Sequence, residues 1–486
     1  RGGRGGEGEF TWALHGGEHS ADGSEQATVD DTFRLRLPGA GNCGCRLGSP
    51  RAPPPNWGCG IPRLRVTARG PRRVCARVIW TDRDSEVHPR PQGGAMQIGI
   101  TLGGERVHVD RDVFVALLDN SVANGRAPYR HAIERGEIPY SALLELAEAG
   151  KIPCALFFAP LPVVQAQLEI KTAKLLGGLT KRSFSLNARN AVALSDIELI
   201  LKDLLRKQEL LKKHDPTLAK NKIVGSLSKP GFSVEADAAY LAELLGLEAN
   251  AIRGAATKGA ALEALILRLE SNQVLVSQSQ NNYMPQRLAG VRFSGMTVKD
   301  TKVPYIFLPS GDEGEEVSPA GRRTFTLTLL AVLIARGIFA PVNYDSTAEE
   351  ITSEYEYDLT AQILMPAGDF KAIRPRKRAD FEGLADEYKV TPSAVIVRAL
   401  RLGRIDRASA TAFLGELQAE FRSAPKQQGR TSKPVNGVRK YNGRELSWRM
   451  VRALDEGRLS TGDFCREVCL NNLTPGDLEE FRRSLR

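Results

Sequence analysis

The stretch Arg322-Arg323-Thr324-Phe325-Thr326-Leu327-Thr328-Leu329-Leu330-Ala331-Val332-Leu333-Ile334-Ala335-Arg336-Gly337 decides how this chain is read. From Thr324 to Ala335 it carries no charge, and Gly337 follows one residue after Arg336. A membrane span needs ~20 apolar residues. This run holds three threonines, ends in Arg-Gly, and meets Pro341 soon after. A helix buried in a protein core is therefore expected, and no membrane partner.

Working outward, the elements around it switch period. Val274–Ser277, Val291–Val298 and Pro304–Leu308 read as strands, rich in β-branched and aromatic residues between turn signals. An acidic loop, Asp312–Glu316, separates the last of them from the apolar helix; it has the charge but not the ligand spacing of a calcium loop. A further helix ends at Met365–Pro366. Upstream, Val113–Asn120, Tyr140–Ala149, Val192–His214, Ala236–Leu245 and Ala260–Leu269 read as helices. The longest of them, Val192–His214, offers Ser195 and Glu198 as a capping box and Lys202, Arg206, Lys207 and Lys213 as a solvated face. From Asp380 onward the chain is helical to its end, apart from a polar linker at 423–442. The fold class that follows is α+β, mainly helical, with a small sheet beside a helix pair and flanking helical domains.

Composition narrows the field. The 486 residues are 42% hydrophobic and 26% charged, with 67 basic and 57 acidic side chains for a net charge of +10. Collagen-like, coiled-coil and disulfide-framework classes are excluded, and the charge favours acidic partners without demonstrating any. Residues 1–95 differ in kind from the rest: they are rich in Gly and Pro, hold four of the seven Cys, and contain arginine but no lysine. This stretch is expected to be disordered, or to be upstream sequence joined to a gene that starts at Met96. Gly39, Gly41 and Gly44 satisfy GxGxxG, but prolines follow where the helix should begin. Cys43, Cys45, Cys59 and Cys75 lack zinc-finger spacing, while Cys465 and Cys469 read as core thiols. Few cysteines beyond Met96 suit a reducing cytoplasm.

The order of strand, acidic loop, Arg322-Arg323-x-Phe325-Thr326-Leu327, apolar helix and Ile363-Leu364-Met365-Pro366 resembles the ImmA/IrrE zinc metallopeptidase family. Ile133–Pro139, Leu144–Ala147 and Ile152–Phe158 are similar to the end of the helix-turn-helix domain that precedes many such peptidases. Leu384-Ala385, Val390-Thr391 and Leu402-Gly403 resemble the helical segment after the core, and Arg452–Arg458 matches long members. Composition and the resemblance together give seven segments: 1–95, a disordered or non-native upstream extension; 96–165, a degenerate helix-turn-helix-like domain; 166–270, helical; 271–378, the peptidase-like core; 379–422, a helical extension; 423–442, a linker; and 443–486, terminal helices. The resemblance also implies bacterial transcriptional regulation, with a phage or mobile-element origin suiting the family.

The departure from the family matters more than the match. HExxH places two His four apart on one helical face over zinc, with Glu between them as base. In that register this chain has Leu329, Leu330 and Leu333, and it has no His after His214. Glu354 and Glu356 remain near the third-ligand position, with Tyr355 nearest the slot itself. Two carboxylates alone make a poor zinc site. A pseudo-peptidase is expected: no enzyme, no metal and no cofactor. It would bind a protein or peptide in the old cleft, with Val291, Phe293 and Val298 on the contact strand. DNA is the second partner class. For it, Ser393, Arg398 and Arg401 lie on a helix capped by Thr391 and Pro392, and Arg126, Arg130 and Arg135 are weaker phosphate contacts. An active metallo-endopeptidase with ligands of another kind is the third reading.

Overall fold

The computed structural model describes residues 63–68, 74–79 and 97–486, apart from 120, 125, 181–183, 186–193, 249, 281, 289–293, 311–317, 344–354 and 424–431. Inside the extension expected to lack structure, strands β1 (Arg63–Ala68) and β2 (Val74–Ile79) pair antiparallel. Both carry the β-branched, alternating pattern that favours a ladder, so the expectation of disorder does not extend to these two segments.

The next unit corrects the helix-turn-helix expectation for 96–165. It opens with a hairpin, β3 (Gln97–Leu102) and β4 (Glu105–Asp110), joined by Gly103 and Gly104 at φ +56° and +90°. Two successive positive φ values are what a tight hairpin turn requires, and glycine adopts them without a Cβ clash. Helices α1 (Arg111–Asp119) and α2 (Ala127–Arg135) follow, then β5 (Glu137–Pro139), which pairs parallel to β3, and α3 (Tyr140–Gly150). A strand therefore separates α2 from α3 where a helix-turn-helix needs only a turn. Ile98, Ile100, Val109 and Ile138 line the inner face of this sheet over Phe114 and Phe157. A short 3-10 turn (Cys154–Phe158) leads into α4 (Leu161–Leu176).

The main body is a five-stranded mixed sheet, built from β6 (Phe184–Ser185), β7 (Leu275–Gln278), β8 (Gly295–Val298), β9 (Tyr305–Leu308) and β10 (Pro341–Asn343) in the order β6-β10-β8-β9-β7. Strands β7, β8 and β9 are buried throughout, as a sheet covered on both faces requires. Tyr305 and Phe307 of β9 face one helical layer: α5 (Leu194–His214), α13 (Pro434–Asn442), α14 (Arg444–Asp455) and α16 (Leu478–Leu485). Ile306 and Leu308 face the other: α6 (Val234–Leu245), α7 (Lys258–Ser271), α8 (Ala320–Ala335) and α9 (Tyr355–Leu364). Helices α10 (Arg378–Glu387), α11 (Pro392–Arg401) and α12 (Arg407–Ser423) form a separate core with the end of α9, and α15 (Thr461–Asp463) is a single turn. The fold is α+β and mainly helical. Among the described residues no helix is long and apolar enough to cross a membrane.

Three local expectations change. Residues 434–442, placed in a linker, form α13, because Val435, Val438 and Tyr441 recur at helical spacing and are buried. Glu198 does not close a capping box; its nearly buried carboxylate pairs with Lys171 at 3.2 Å. Lys207, expected on a solvated face, is fully buried, 2.9 Å from the Asp203 carboxylate and 3.9 Å from the centre of the Tyr441 ring. Tyr441 also donates to Asp203 at 2.8 Å, so α13 docks on α5 through a buried charge pair.

Candidate functional site

Helix α8 carries the candidate site. From Thr326 to Ala335 every one of its residues is buried, between the sheet and helices α7 and α9. Leu329, Leu330 and Leu333 are exposed by 1%, 0% and 0%. Leu330 lies hard against β8: a Cβ on Gly295 would meet its Cδ1 at 2.8 Å, so only glycine lets strand and helix approach this closely. Leu329 and Leu333, four residues apart, share one face of α8 with Arg336. That face ends in a charge rather than a metal ligand.

Arg336 caps the C-terminus of α8 and is only 14% exposed. Its Nε donates to Glu356 Oε1 at 3.1 Å, its Nη1 donates to the Leu227 carbonyl, and its guanidinium lies 5.1 Å from the centre of the Tyr355 ring. Glu356, read from sequence as a third-ligand remnant, is thus the counter-ion of an arginine. The cation beside this carboxylate is a guanidinium, which a metal would have to displace. Tyr355 donates its hydroxyl to the buried Asp237 carboxylate, which also accepts the Gly231 N–H at 2.7 Å. Burial first, and then Asp237, push the Tyr355 phenol well above its ordinary range. Glu354 lies outside the described residues. Among the described residues, no three His, Cys, Asp or Glu side chains gather in a way that would hold a metal ion.

The proposed contact strand is not an edge. Val298 is fully buried in β8, and β8 is hydrogen-bonded to β10 on one side and β9 on the other. A peptide cannot add to a strand whose two edges are already paired. Val291 and Phe293 lie outside the described residues. The sheet's outer strands are β6 and β7, and β7 is covered by α13, whose Tyr441 carbonyl accepts from Ser277 Oγ.

The DNA-facing set is also rearranged. Thr391 caps α11 as expected, accepting from the Ala394 N–H at 3.3 Å. Arg398, however, is 4% exposed; its Nε donates to the Met365 carbonyl at 3.0 Å and its Nη2 to Gln362. Arg401 turns the same way and pairs with Asp358. Both arginines clamp α11 onto α9 instead of facing a duplex. Their polarity on a helix suggested exposure, whereas the uncapped carbonyl at the end of α9 supplies the acceptor that draws Arg398 inward. Ser393 is half-buried at the start of α11, while Arg126, Arg130 and Arg135 are exposed in or beside α2. Cys465 and Cys469 are buried free thiols, the latter pushed up to about 12 chiefly by burial.

The sequence offered no sign of the Arg336–Glu356 pair beyond its two opposite charges, since the separation of 20 positions conceals that α8 and α9 meet. No family model, curated protein or solved structure matches the chain.

Proposed function

We propose that this chain is a non-catalytic, ImmA/IrrE-like regulatory protein that binds a protein or peptide partner in the control of transcription or of a mobile element, in a cytoplasmic setting. The observation that carries this reading is the leucine stripe. The three positions that would be His, Glu and His in an active relative are hydrocarbon, they are 0–1% exposed, and they are packed without a gap in helix periodicity. Unpaired imidazole or carboxylate there would be costly, so an inactive lineage gains stability by filling the site. The Arg336–Glu356 pair supports the same reading, because it occupies one of the two carboxylates that flank the third-ligand position.

Two measurements on the full chain test it. Metal analysis after zinc loading and desalting should find no stoichiometric zinc, and unfolded protein substrates should stay intact. One zinc per chain with zinc-dependent cleavage overturns the reading. Peptide display against the immobilised chain should enrich a shared motif. The binding half fails if no motif emerges.

A further inference from the structure

The small N-terminal sheet ends in an open edge, and the register shows which main-chain groups it offers. The Gly99 N–H bonds to the Gly136 carbonyl on the β5 side at 2.8 Å. Along a strand the N–H and C=O groups of alternate residues point to opposite sides, so those of Ile98 and Ile100 point to β4. Their partners Val109 and Val107 complete that ladder. The main-chain groups of Arg106, His108 and Asp110 therefore point away from the sheet, and among the described residues no strand pairs with them. All three side chains are exposed on the solvent face, while Val109 is buried on the inner face.

We infer that a second copy of this chain pairs with the first through β4, antiparallel and two-fold symmetric about His108. That axis sets His108 against His108 of the other copy, Arg106 against Asp110, and Asp110 against Arg106. Every outward-pointing residue then meets an outward-pointing residue, giving up to about six main-chain hydrogen bonds. Opposite charges fall directly across from one another on the same face, where cross-strand pairs attract. Moving the axis one residue toward the turn sets Arg106 against His108, two basic side chains. Moving it one residue the other way sets His108 against Asp110 but carries Arg106 past the strand onto Asp112 of α1. The register about His108 pairs the most outward-pointing strand residues, with opposite charges across from one another, as an interface between identical copies requires.

The 3-10 turn at Cys154–Phe158 packs against β4, and its last residue, Phe158, is 37% exposed. In the single copy Arg106 lies across Gly99, where a Cβ would come within 2.7 Å of Nε, and pairs with Glu137 on β5. That pair is about half exposed on both sides and so contributes little, and Asp110 of the second copy competes with Glu137 for the guanidinium. Charged edge strands ordinarily discourage pairing; here the two signs fall opposite each other in the register about His108.

The test is the mass of the full chain in solution by sedimentation velocity across a concentration series, with three variants. The wild type should show a monomer–dimer equilibrium. His108→Pro removes a central N–H that points outward and leaves the β3 ladder intact, a position where an edge strand tolerates proline. It should shift the dissociation constant at least tenfold toward monomer with unchanged circular dichroism. Arg106→Glu should do the same by facing Asp110, and Arg106→Glu with Asp110→Arg should restore association. A wild-type chain that stays monomeric at all concentrations overturns the inference, including the case where its own first residues cover β4. So does a dimer indifferent to both His108→Pro and the charge reversal.

Discussion

Leu333→Ala tests whether the position that the proposed resemblance aligns with a zinc ligand is filled core. Leu333 is fully buried, with the rigid framework of the sheet and of helices α7 and α9 around α8. Truncation removes the transfer free energy of the lost carbons and leaves a cavity that such neighbours can only partly close, so a cost of about 3 kcal/mol is expected. That is a loss of roughly a hundredfold in the folded-to-unfolded ratio. With a urea m-value of about 2–3 kcal/mol per molar, the midpoint should fall by about 1–1.5 M. The assay is urea unfolding followed by far-ultraviolet circular dichroism, with fluorescence of the four tryptophans as a second probe. A companion variant, Leu329→His with Leu333→His, should cost more, because two imidazoles are buried without partners. Zinc at a hundred times its dissociation constant would return about 2.7 kcal/mol to a site that binds it, and no such recovery is expected while Glu356 serves Arg336. A midpoint for Leu333→Ala within about 0.3 M of wild type would refute the packing behind the pseudo-peptidase reading.

Three other outcomes are expected. Arg336→Met and Glu356→Gln should each destabilise the chain by about 2–3 kcal/mol, since each leaves a largely buried charge unpaired. The double variant should lose clearly less than their sum, which a double-mutant cycle in urea will measure. Glu270 is buried, and that burial pushes its carboxyl up to about 8. Its pKa is higher folded than unfolded, so its contribution should be most favourable below the ordinary carboxyl range and decline as pH rises to about 8. Glu270→Gln should flatten that decline in thermal unfolding midpoints taken between these limits, and an unchanged pH slope would show that the carboxyl titrates normally. Arg398→Ala should lower the unfolding midpoint by detaching α11 from the Met365 carbonyl, while any DNA affinity stays the same; reduced DNA affinity at unchanged stability would return Arg398 to a duplex-facing role.

The sequence by itself determined most of the core helices, the three central strands β7, β8 and β9, and that three positions on α8 hold leucine, while β6, β10 and α13 went unread. Those properties are local: a 3.6-residue period, β-branched runs, and the identity of side chains at fixed spacing carry them. The Gly103-Gly104 turn between Ile98–Ile100 and Val107–Val109 was equally local, and is the signal by which the first hairpin was legible in retrospect. Only the tertiary structure decided where charges go. Lys207, Glu198, Arg398 and Glu356 all read as surface or site residues, yet each is drawn inward by a partner from another element: Asp203 and Tyr441, Lys171, Met365, Arg336. Likewise, β8 reads as an accessible strand until its pairing with β9 and β10 fills both edges, while β4 keeps one edge open. A side chain's type and spacing are written along the chain. The partner that offsets the cost of burying a charge, and the neighbour that closes a strand edge, come from residues tens to hundreds of positions away, and folding alone brings them together.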